Sequence, residues 1–199
     1  MPLSARWAIS FYQDAIADYH AQSDLDAVCP KPSLADSLSE DFYAKAWIDT
    51  VQWHLEDEIR RSDLSGEKVL TLKRRIDALN QARTDAVEHL DKALQKRLSP
   101  SSLVKDAEAR TESLGWALDR LCILQLKRYH MKIEVERSEG DYAKAAQRYA
   151  VLEAQNTELS EAIDILIEDL QTGKVRYQLY AQHKLYNDPD TNPALYGVK

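Results

Sequence analysis

The sequence predicts an all-α protein, an elongated bundle of about five to six helices with an irregular C-terminal tail. Four segments carry apolar residues at alternating spacings of three and four, the seam pattern of packed helices. Glycine (5) and proline (6) are scarce among the 199 residues, and no stretch shows the sustained alternation of a strand. We therefore expect a single helical-bundle domain over residues 1–185 and the tail over residues 186–199.

The first two helices are separated by a predicted loop. Apolar and aromatic residues share one face of residues 4–20, which predicts the first helix. Two prolines indicate a loop over residues 23–36. Ser37 and Glu40 have the spacing of a capping box, so the second helix is expected to begin at Ser37 and to run to about Arg61.

The third helix is predicted to be long. The pair Ser65-Gly66 separates it from the second helix, and it is expected to end before Ser99-Pro100. A short helix is then expected over residues 102–110. Short connections of this kind favour antiparallel neighbours in a bundle.

Two residues are candidates to cap the next helix. Either Thr111 or Ser113 can supply the hydroxyl that accepts from the first turn, and the helix is expected to run to about Ser138. The pair Gly140-Asp141 then breaks and restarts the chain.

The fifth long helix is expected to run to Thr172. Gly173 is its predicted C-terminal stop, because glycine readily adopts the left-handed conformation that ends helices. A last helix is predicted over residues 175–185. Residues 186–193 carry strong turn chemistry and no periodicity, which predicts the irregular tail.

The composition argues against a nucleic-acid partner. The net charge is −7 and the isoelectric point is near 5.3. Nucleic-acid binding needs a basic surface that releases counterions from the phosphates. The basic runs at residues 73–75 and 96–97 do not supply one, because consecutive residues of a helix point in different directions.

The cysteine count and the apolar runs bear on localisation. Cys29 and Cys122 are the only cysteines and form no C-x-x-C motif, so neither a disulfide framework nor a zinc ribbon is expected. The N-terminus has no signal pattern, and no apolar run approaches the ~18–20 residues that span a bilayer. We expect a cytoplasmic protein with no membrane partner.

Polar and ionisable residues interrupt seams that should be apolar. The four seams are Ala44, Ile48, Val51, Leu55, Glu58; Val69, Leu72, Ile76, Leu79, Arg83, Ala86, Leu90; Asp119, Ile123, Leu126, His130, Ile133, Arg137; and Tyr142, Ala145, Tyr149, Leu152, Asn156, Leu159, Ile163, Leu166, Leu170. An unpaired buried charge costs several kcal/mol, so the charged members must pair or serve a site. A seam asparagine such as Asn156 commonly sets register.

Glu58 and Arg83 lie on helices joined by a short turn. One interpretation is a buried pair that fixes register. The other makes Arg83 a bidentate clamp for a phosphate or carboxylate, with Asn80 one turn earlier sharing the ligand.

Asp119 and His130 share one helix face. Asp119 can orient a histidine of a facing helix or meet an arginine, and His130 can act as a general base, as a metal ligand, or as a satisfied core residue. Lys127 lies one turn before His130, where it can present a charge at the mouth of a site or extend to water.

A carboxylate site for magnesium is a further possibility in the sequence. His54 flanks the seam of Glu58, and the acidic residues Asp57 and Glu58 follow it. Glu88 belongs to a polar stripe on the next helix that is expected to be solvated, together with Asp77, Thr84 and Asp91. If this stripe lines a cleft, Asp57, Glu58 and Glu88 are the candidate metal ligands.

Four groups of motifs extend over nearly the whole chain. They are Trp53-His54-Leu55-Glu56-Asp57 with Ile59-Arg60; Lys73-Arg74-Arg75-Ile76-Asp77, Asn80-Gln81, Arg83, Asp85 and Glu88; Gly115, Asp119-Arg120-Leu121, Ile123-Leu124, Leu126-Lys127 and His130-Met131; and Tyr186-Asn187-Asp188-Pro189, Asn192-Pro193 and Leu195-Tyr196. Together they resemble one uncharacterised bacterial family, the domain of unknown function 4254. Cys122 stands where this family is expected to have serine. The resemblance implies a bacterial, cytosolic, all-α protein and brings no established activity. The stretch from Gly115 to Lys127 also resembles a second uncharacterised family, associated with cell-surface polysaccharide genes.

Two functional hypotheses follow. The first is a polar site inside the bundle that binds or processes an anionic small molecule, such as a phosphorylated sugar, a nucleotide or a nucleotide sugar. Arg83, Asn80, Lys127 and His54 would bind it, and His130 with Asp119 or Glu58 would supply acid–base chemistry. The alternative is a non-enzymatic helical dimer or scaffold in which the seam charges are structural. A homo-oligomer is expected in either case, because slender bundles often gain core by dimerising.

Overall fold

The computed structural model describes residues 2–22, 24–30, 34, 36–100, 102–137, 142–180 and 190–196. It confirms an all-α bundle. Its elements are α1 (Ala5–Gln22), α2 (Ser37–Glu58), α3 (Gly66–Leu98), β1 (Glu108–Arg110), α4 (Leu114–Glu136), α5 (Tyr142–Gln171), β2 (Val175–Tyr177) and the short α6 (Pro193–Tyr196). Among the described helices, none combines the length and the apolar character needed to cross a membrane.

Helix α4 is the centre of the bundle. It packs against all four of the other long helices, α1, α2, α3 and α5. Its fully buried leucines include Leu118 and Leu121, which join Tyr12 of α1 and Phe42 of α2 in one core. Each such leucine contributes about 1.5–3 kcal/mol through removal of apolar surface from water.

Side-chain oxygens cap the helices at their N-termini. The side chain of Ser65 accepts from the first turn of α3, and that of Ser113 does the same for α4, which settles the choice between Thr111 and Ser113. The predicted cap of α2 at Ser37 was one residue late. Asp36 is the cap, because its carboxylate accepts from the Ser39 amide at 2.8 Å.

Two helix predictions were wrong at the ends of the α4–α5 pair. Residues 108–110 form β1, which pairs in parallel with β2 in the register Glu108↔Val175 and Arg110↔Tyr177. The helices predicted over residues 102–110 and 175–185 are therefore absent from the described part of those ranges. Strands of three residues are too short to show alternation, and their pairing is invisible to local patterns. Residues 181–185, like 186–189 and 197–199 of the predicted tail, lie outside the described residues.

Gly173 ends α5, as predicted. Its φ of +71° is in the left-handed region, and its amide donates to the Leu170 carbonyl at 3.2 Å. A Cβ atom at this position would also meet the Ser102 carbonyl oxygen at 2.5 Å. Two constraints, conformation and space, therefore select glycine here.

Polar contacts join the middle of α4 to the middle of α5. The side-chain amide of Gln125 donates to Asn156 at 2.8 Å, and the guanidinium of Arg128 binds both carboxylate oxygens of Glu153 at 2.7 and 2.9 Å. The half-buried Asn156 thus lies in the seam, as its spacing predicts.

A buried carboxylate fixes the start of α4. Asp91 of α3 is 4% exposed, so the predicted solvated stripe is wrong at this position. It accepts from the Ser113 hydroxyl at 2.5 Å and from the Gly115 amide at 2.7 Å. These bonds place a negative charge at the helix N-terminus, where the helix dipole favours it. A Cβ atom on residue 115 would lie 2.6 Å from the Asp91 carboxylate, so only glycine fits.

We expect Gly115→Ala to lower the free energy of unfolding by about 1–3 kcal/mol, because the new methyl group overlaps the Asp91 carboxylate. Gly66→Ala is the matched control, since no atom lies within 4 Å of the position that its new methyl group would take. The control should be neutral or stabilising by less than about 1 kcal/mol. Urea unfolding measures both, and equal stability of the two variants would contradict the predicted overlap.

Candidate functional site

Four charged side chains from three helices meet inside the bundle. The ammonium group of Lys45 lies against the carboxylate of Asp49 and 2.7 Å from that of Asp119. The guanidinium of Arg83 donates two hydrogen bonds to the Asp119 carboxylate, from Nε to Oδ1 at 2.8 Å and from Nη2 to Oδ2 at 2.6 Å. Arg83 Nε also lies 3.5 Å from Asp49 Oδ1. We call these four residues the charge cluster.

The charge cluster is balanced, with two cations and two carboxylates. The side chains of Lys45 and Asp49 are fully buried. Burial raises the pKa of Asp119, but hydrogen bonds from Arg83 and Lys45 outweigh it and hold that pKa below its usual value. Burial alone would lower the pKa of Lys45, yet the two carboxylates hold it above its usual value. Burial raises the pKa of Asp49, and Lys45 offsets this only in part. Each charge is therefore stabilised mainly by its partners rather than by water.

Sequence reasoning found half of the charge cluster. Arg83 and Asp119 interrupt apolar seams and meet as one of the stated alternatives predicted, whereas Lys45 and Asp49 were missed. The reason is that α2 is buried on almost every side between Phe42 and Val51, so its residues do not divide into an apolar stripe and a polar face. A buried lysine or aspartate therefore does not stand out in the sequence pattern. The one available signal was the spacing of a lysine and an aspartate four residues apart on the helix.

Arg83 borders two cavities. The larger has a volume of about 690 Å³ and is lined by α3, α4 and α5, including Arg83, Trp116, Asp119, Lys127 and Glu158. We call it the Arg83 cleft. The smaller, of about 340 Å³, lies on the α2 side and is lined by residues such as Asp49 and Asp57. The guanidinium is thus a boundary group, 27% exposed, between the charge cluster and open space.

The walls of the Arg83 cleft carry both signs of charge. Arg120 is paired with Glu112 at 3.0 Å. Lys127 is exposed and, among the described residues, forms no ion pair. Glu158 supplies a further carboxylate and Trp116 an aromatic face. An anionic group and several hydroxyls can both find partners in such a cleft.

The predicted residues His54 and His130 lie elsewhere, with His20 of α1. One ring nitrogen from each of the three histidines lies within 4.8 Å of the others. His130 does not touch Asp119, which is fully engaged by Arg83 and Lys45. It lines a separate cavity of about 530 Å³ between α4 and α5, which Lys127 also borders.

Burial is the main cause of the histidine pKa shifts. It lowers the pKa of His20, of His54 and of His130, the last to about 4, and the mutual repulsion of the protonated rings adds to the effect at His54 and His130. The three rings are therefore neutral near pH 7.

The predicted Glu58–Arg83 pair is wrong. Glu58 pairs with Arg61 at 3.2 Å, at the end of α2. Gln52 donates to Asn80 at 2.8 Å, and this contact sets the register of the antiparallel α2–α3 pair. In that register Arg83 faces the middle of α2, about two and a half helical turns from the level of Glu58. Asn80 is thus committed to α2 rather than placed in the Arg83 cleft.

The structure does not bring the predicted magnesium ligands together. Asp57 lies 3.6 Å from Arg60, and Glu58 faces Arg61. Glu88 lies on α3 and does not join them. Within the described ranges, the three histidines form the one group of metal-ligating side chains close enough to share an ion.

Comparison with known proteins identifies one family. The model of the family described as Protein of unknown function (DUF4254) matches residues 40–179, which includes the charge cluster and all but His20 of the three histidines. No curated protein and no solved structure matches the chain.

We expect Lys45→Met to lower the free energy of unfolding by about 3–5 kcal/mol. The substitution keeps the volume of the side chain but leaves two buried carboxylates with Arg83 as their one cation. The exposed Lys92 of α3 is the control, and Lys92→Met should change stability by less than about 0.5 kcal/mol. Urea unfolding at pH 7 compares them, and a Lys45→Met variant as stable as the wild type would show that Arg83 alone compensates both carboxylates.

We expect the protein without metal to lose stability as the pH falls from 6.5 toward 4. In that window the unfolded chain binds a proton at residue 130 that folded His130, with its pKa near 4, does not bind. Above pH 6.5 this contribution is complete and does not vary. Urea unfolding at pH 7, 6 and 5 in the presence of a chelator should show a shallower decline for His130→Phe. Identical declines in both proteins would refute the lowered pKa.

Proposed function

The chain belongs to the family described as Protein of unknown function (DUF4254), and for it we propose the binding of an anionic small molecule in the Arg83 cleft. The best candidate is a phosphorylated sugar or a nucleotide sugar. The observation that carries the proposal is a half-buried guanidinium, held rigid by Asp119, at the edge of a cleft of about 690 Å³. Clefts of this volume suit ligands of that size.

Arg83 retains donors for a ligand. Asp119 takes one N–H from Nε and one from Nη2, and a guanidinium has five N–H groups. The remaining N–H groups have no acceptor among the residues that the structure describes. A phosphate or carboxylate at this place would receive charge-assisted hydrogen bonds from a fork already fixed in orientation.

Lys127 supplies the second positive contact. It is exposed on the wall of the Arg83 cleft, whereas Arg120 is already neutralised by Glu112. A long lysine side chain at the mouth can follow a phosphate with little strain. Arg83 and Lys127 therefore form the pair that recognises the anion.

The carboxylates of the cleft narrow the ligand class. Glu158 repels a polyanion such as a nucleoside triphosphate and can accept hydrogen bonds from hydroxyl groups, whereas Glu112 is already paired with Arg120. Trp116 offers a face on which a sugar ring or a base can pack. One or two phosphates joined to a hydroxyl-rich ring suit this combination best.

The proposal concerns binding rather than a reaction. His130 lines the neighbouring cavity, Asp119 is held by two cations, and Glu58 faces Arg61. None of the described contacts links these three residues as an acid–base set. A catalytic role for His130 would require a ligand that extends past Lys127 and Gln155, which border both cavities.

The alternative function is a non-enzymatic dimer or scaffold, and one observation favours it. Val69 and Leu70 near the start of α3 are 37% and 51% exposed, which leaves apolar surface on the outside of the bundle. We propose a homo-oligomer in the bacterial cytoplasm for either function, and both statements stay predictions.

Calorimetric titration with sugar phosphates, nucleotide sugars and inorganic phosphate tests the cleft. We expect Lys127→Gln to weaken the binding of a sugar phosphate by about tenfold, the loss of one charge-assisted contact. Arg83→Lys should weaken it at least as much, because lysine keeps the charge of the cluster but lacks the fork.

Lys132→Gln is the control for these variants. Lys132 lies on the same helix as Lys127, is exposed, and does not line the Arg83 cleft. Its replacement should leave the affinity unchanged. The proposal would be refuted, and the scaffold favoured, if none of these ligands binds. It would also be refuted if the Lys127→Gln protein binds the sugar phosphate as tightly as the wild type.

A further inference from the structure

Three helices each contribute one histidine to a common point. His20 comes from α1, His54 from α2 and His130 from α4, and one ring nitrogen of each lies within 4.8 Å of the others. We call this group the three-histidine cluster. Its members come from distant parts of the chain, so the fold rather than a sequence motif creates it.

The backbone carbonyl of Ile16 fixes the tautomer of His20. Nδ1 of His20 lies 2.7 Å from the Ile16 carbonyl oxygen, an acceptor, so this nitrogen carries the proton. In the neutral ring Nε2 of His20 then keeps its lone pair. A backbone carbonyl that fixes the tautomer in this way is a standard support of metal-binding histidines.

Nε2 of His20 faces Nε2 of His54 at 3.0 Å. Without metal, His54 donates its Nε2 proton to the lone pair of His20. With the proton of His54 moved to Nδ1, both Nε2 atoms present lone pairs to the same point. The change of tautomer adds no charge and needs no movement of the helices.

The third ring carries an unsatisfied atom. Nε2 of His130 is buried and has no hydrogen-bond partner in the part of the chain that the structure describes. A buried polar atom left without a partner costs free energy and calls for an explanation. A shared ion would satisfy it.

Aromatic side chains hold the three rings in place. Trp53 stacks on His130 with ring centroids 4.9 Å apart and planes within 4°, and Tyr19 stacks on His54 at 5.1 Å. Tyr129 packs on His20 at 4.2 Å. These contacts limit the rotation of the rings, so little ordering of the side chains remains when a ligand arrives.

We propose that His20, His54 and His130 bind one divalent transition-metal ion, with zinc the best fit. Imidazole nitrogens suit zinc, copper and nickel, whereas magnesium prefers oxygen ligands and demands an octahedral shell. Three histidines with a fourth position left open is a set that zinc uses.

The geometry needs only a small adjustment. Tetrahedral zinc with bonds of about 2.0–2.1 Å places its ligand atoms about 3.3 Å apart. The His20–His54 separation of 3.0 Å is already close to this value, and the longest separation in the cluster is within 4.8 Å. A shift of the His130 ring of up to about 1.5 Å closes the site.

A cavity borders one of the three rings. His130 lines the cavity of about 530 Å³ together with Trp53, Met131 and Leu152, whose walls are largely apolar. A water molecule or a small ligand atom on the ion can exchange through this cavity. The site is separate from the Arg83 cleft, and neither proposal depends on the other.

Zinc binding to tag-free, chelator-treated protein tests the inference. Calorimetry should show one Zn²⁺ per chain, and saturating Zn²⁺ should raise the melting temperature by mass action. Replacement by Co²⁺ should give the intense visible absorption of a tetrahedral site. Absence of stoichiometric zinc binding by the wild-type protein would overturn the proposal.

Single replacements identify the ligands. His54→Phe and His130→Phe retain the ring contacts with Tyr19 and Trp53 but remove the nitrogens, so both should fold in the absence of metal. Each should weaken zinc binding by at least about tenfold and abolish the visible Co²⁺ bands. Circular dichroism confirms the fold of each variant, and either one suffices if the other does not fold.

His89→Ala is the matched control. His89 is exposed, lies 3.2 Å from Asp41, and is remote from the three-histidine cluster. Its replacement should leave zinc affinity and the Co²⁺ spectrum unchanged. Loss of zinc in this variant, or full zinc binding by folded His54→Phe or His130→Phe protein, would place the ion elsewhere and refute the assignment.

Discussion

A cluster of four charged side chains, three of them buried and one half-buried, fixes helices α2, α3 and α4 against one another. Lys45 and Asp49 belong to α2, Arg83 to α3 and Asp119 to α4, and the side chains of Lys45 and Asp49 have no access to water. Because charge-assisted hydrogen bonds are directional, a helix that slides or rotates breaks them and leaves buried charges without partners. The cluster therefore sets the axial positions of α2 and α4, and with them the level at which His54 and His130 meet.

Arg83 has to serve the fold and the proposed ligand at once. Asp119 neutralises part of its charge before any ligand arrives, so the attraction for an anion is smaller than that of an unpaired guanidinium. Asp119 also holds the guanidinium of Arg83 in one orientation, so less conformational entropy is lost when a ligand binds. A cleft built in this way favours selectivity by shape over high affinity.

Local patterns predicted the long helices well, because the spacing of apolar residues and caps such as Ser113 act within a few residues. They failed where structure depends on distant partners. The strands β1 and β2 pair across the whole α4–α5 unit, and His20 meets His54 from 34 residues away. Lys45 was missed for a different reason. Its helix has no polar face in that region against which a buried charge would stand out.

The parallel strands β1 and β2 couple the local unfolding of α4 to that of α5. β1 precedes α4 and β2 follows α5, so their pairing closes residues 111–174 into a loop tied at its base. Opening either helix at that end also requires loss of the strand pairing. The α4–α5 hairpin should therefore open as one cooperative unit, with amide exchange at β1 and β2 reporting on both helices together.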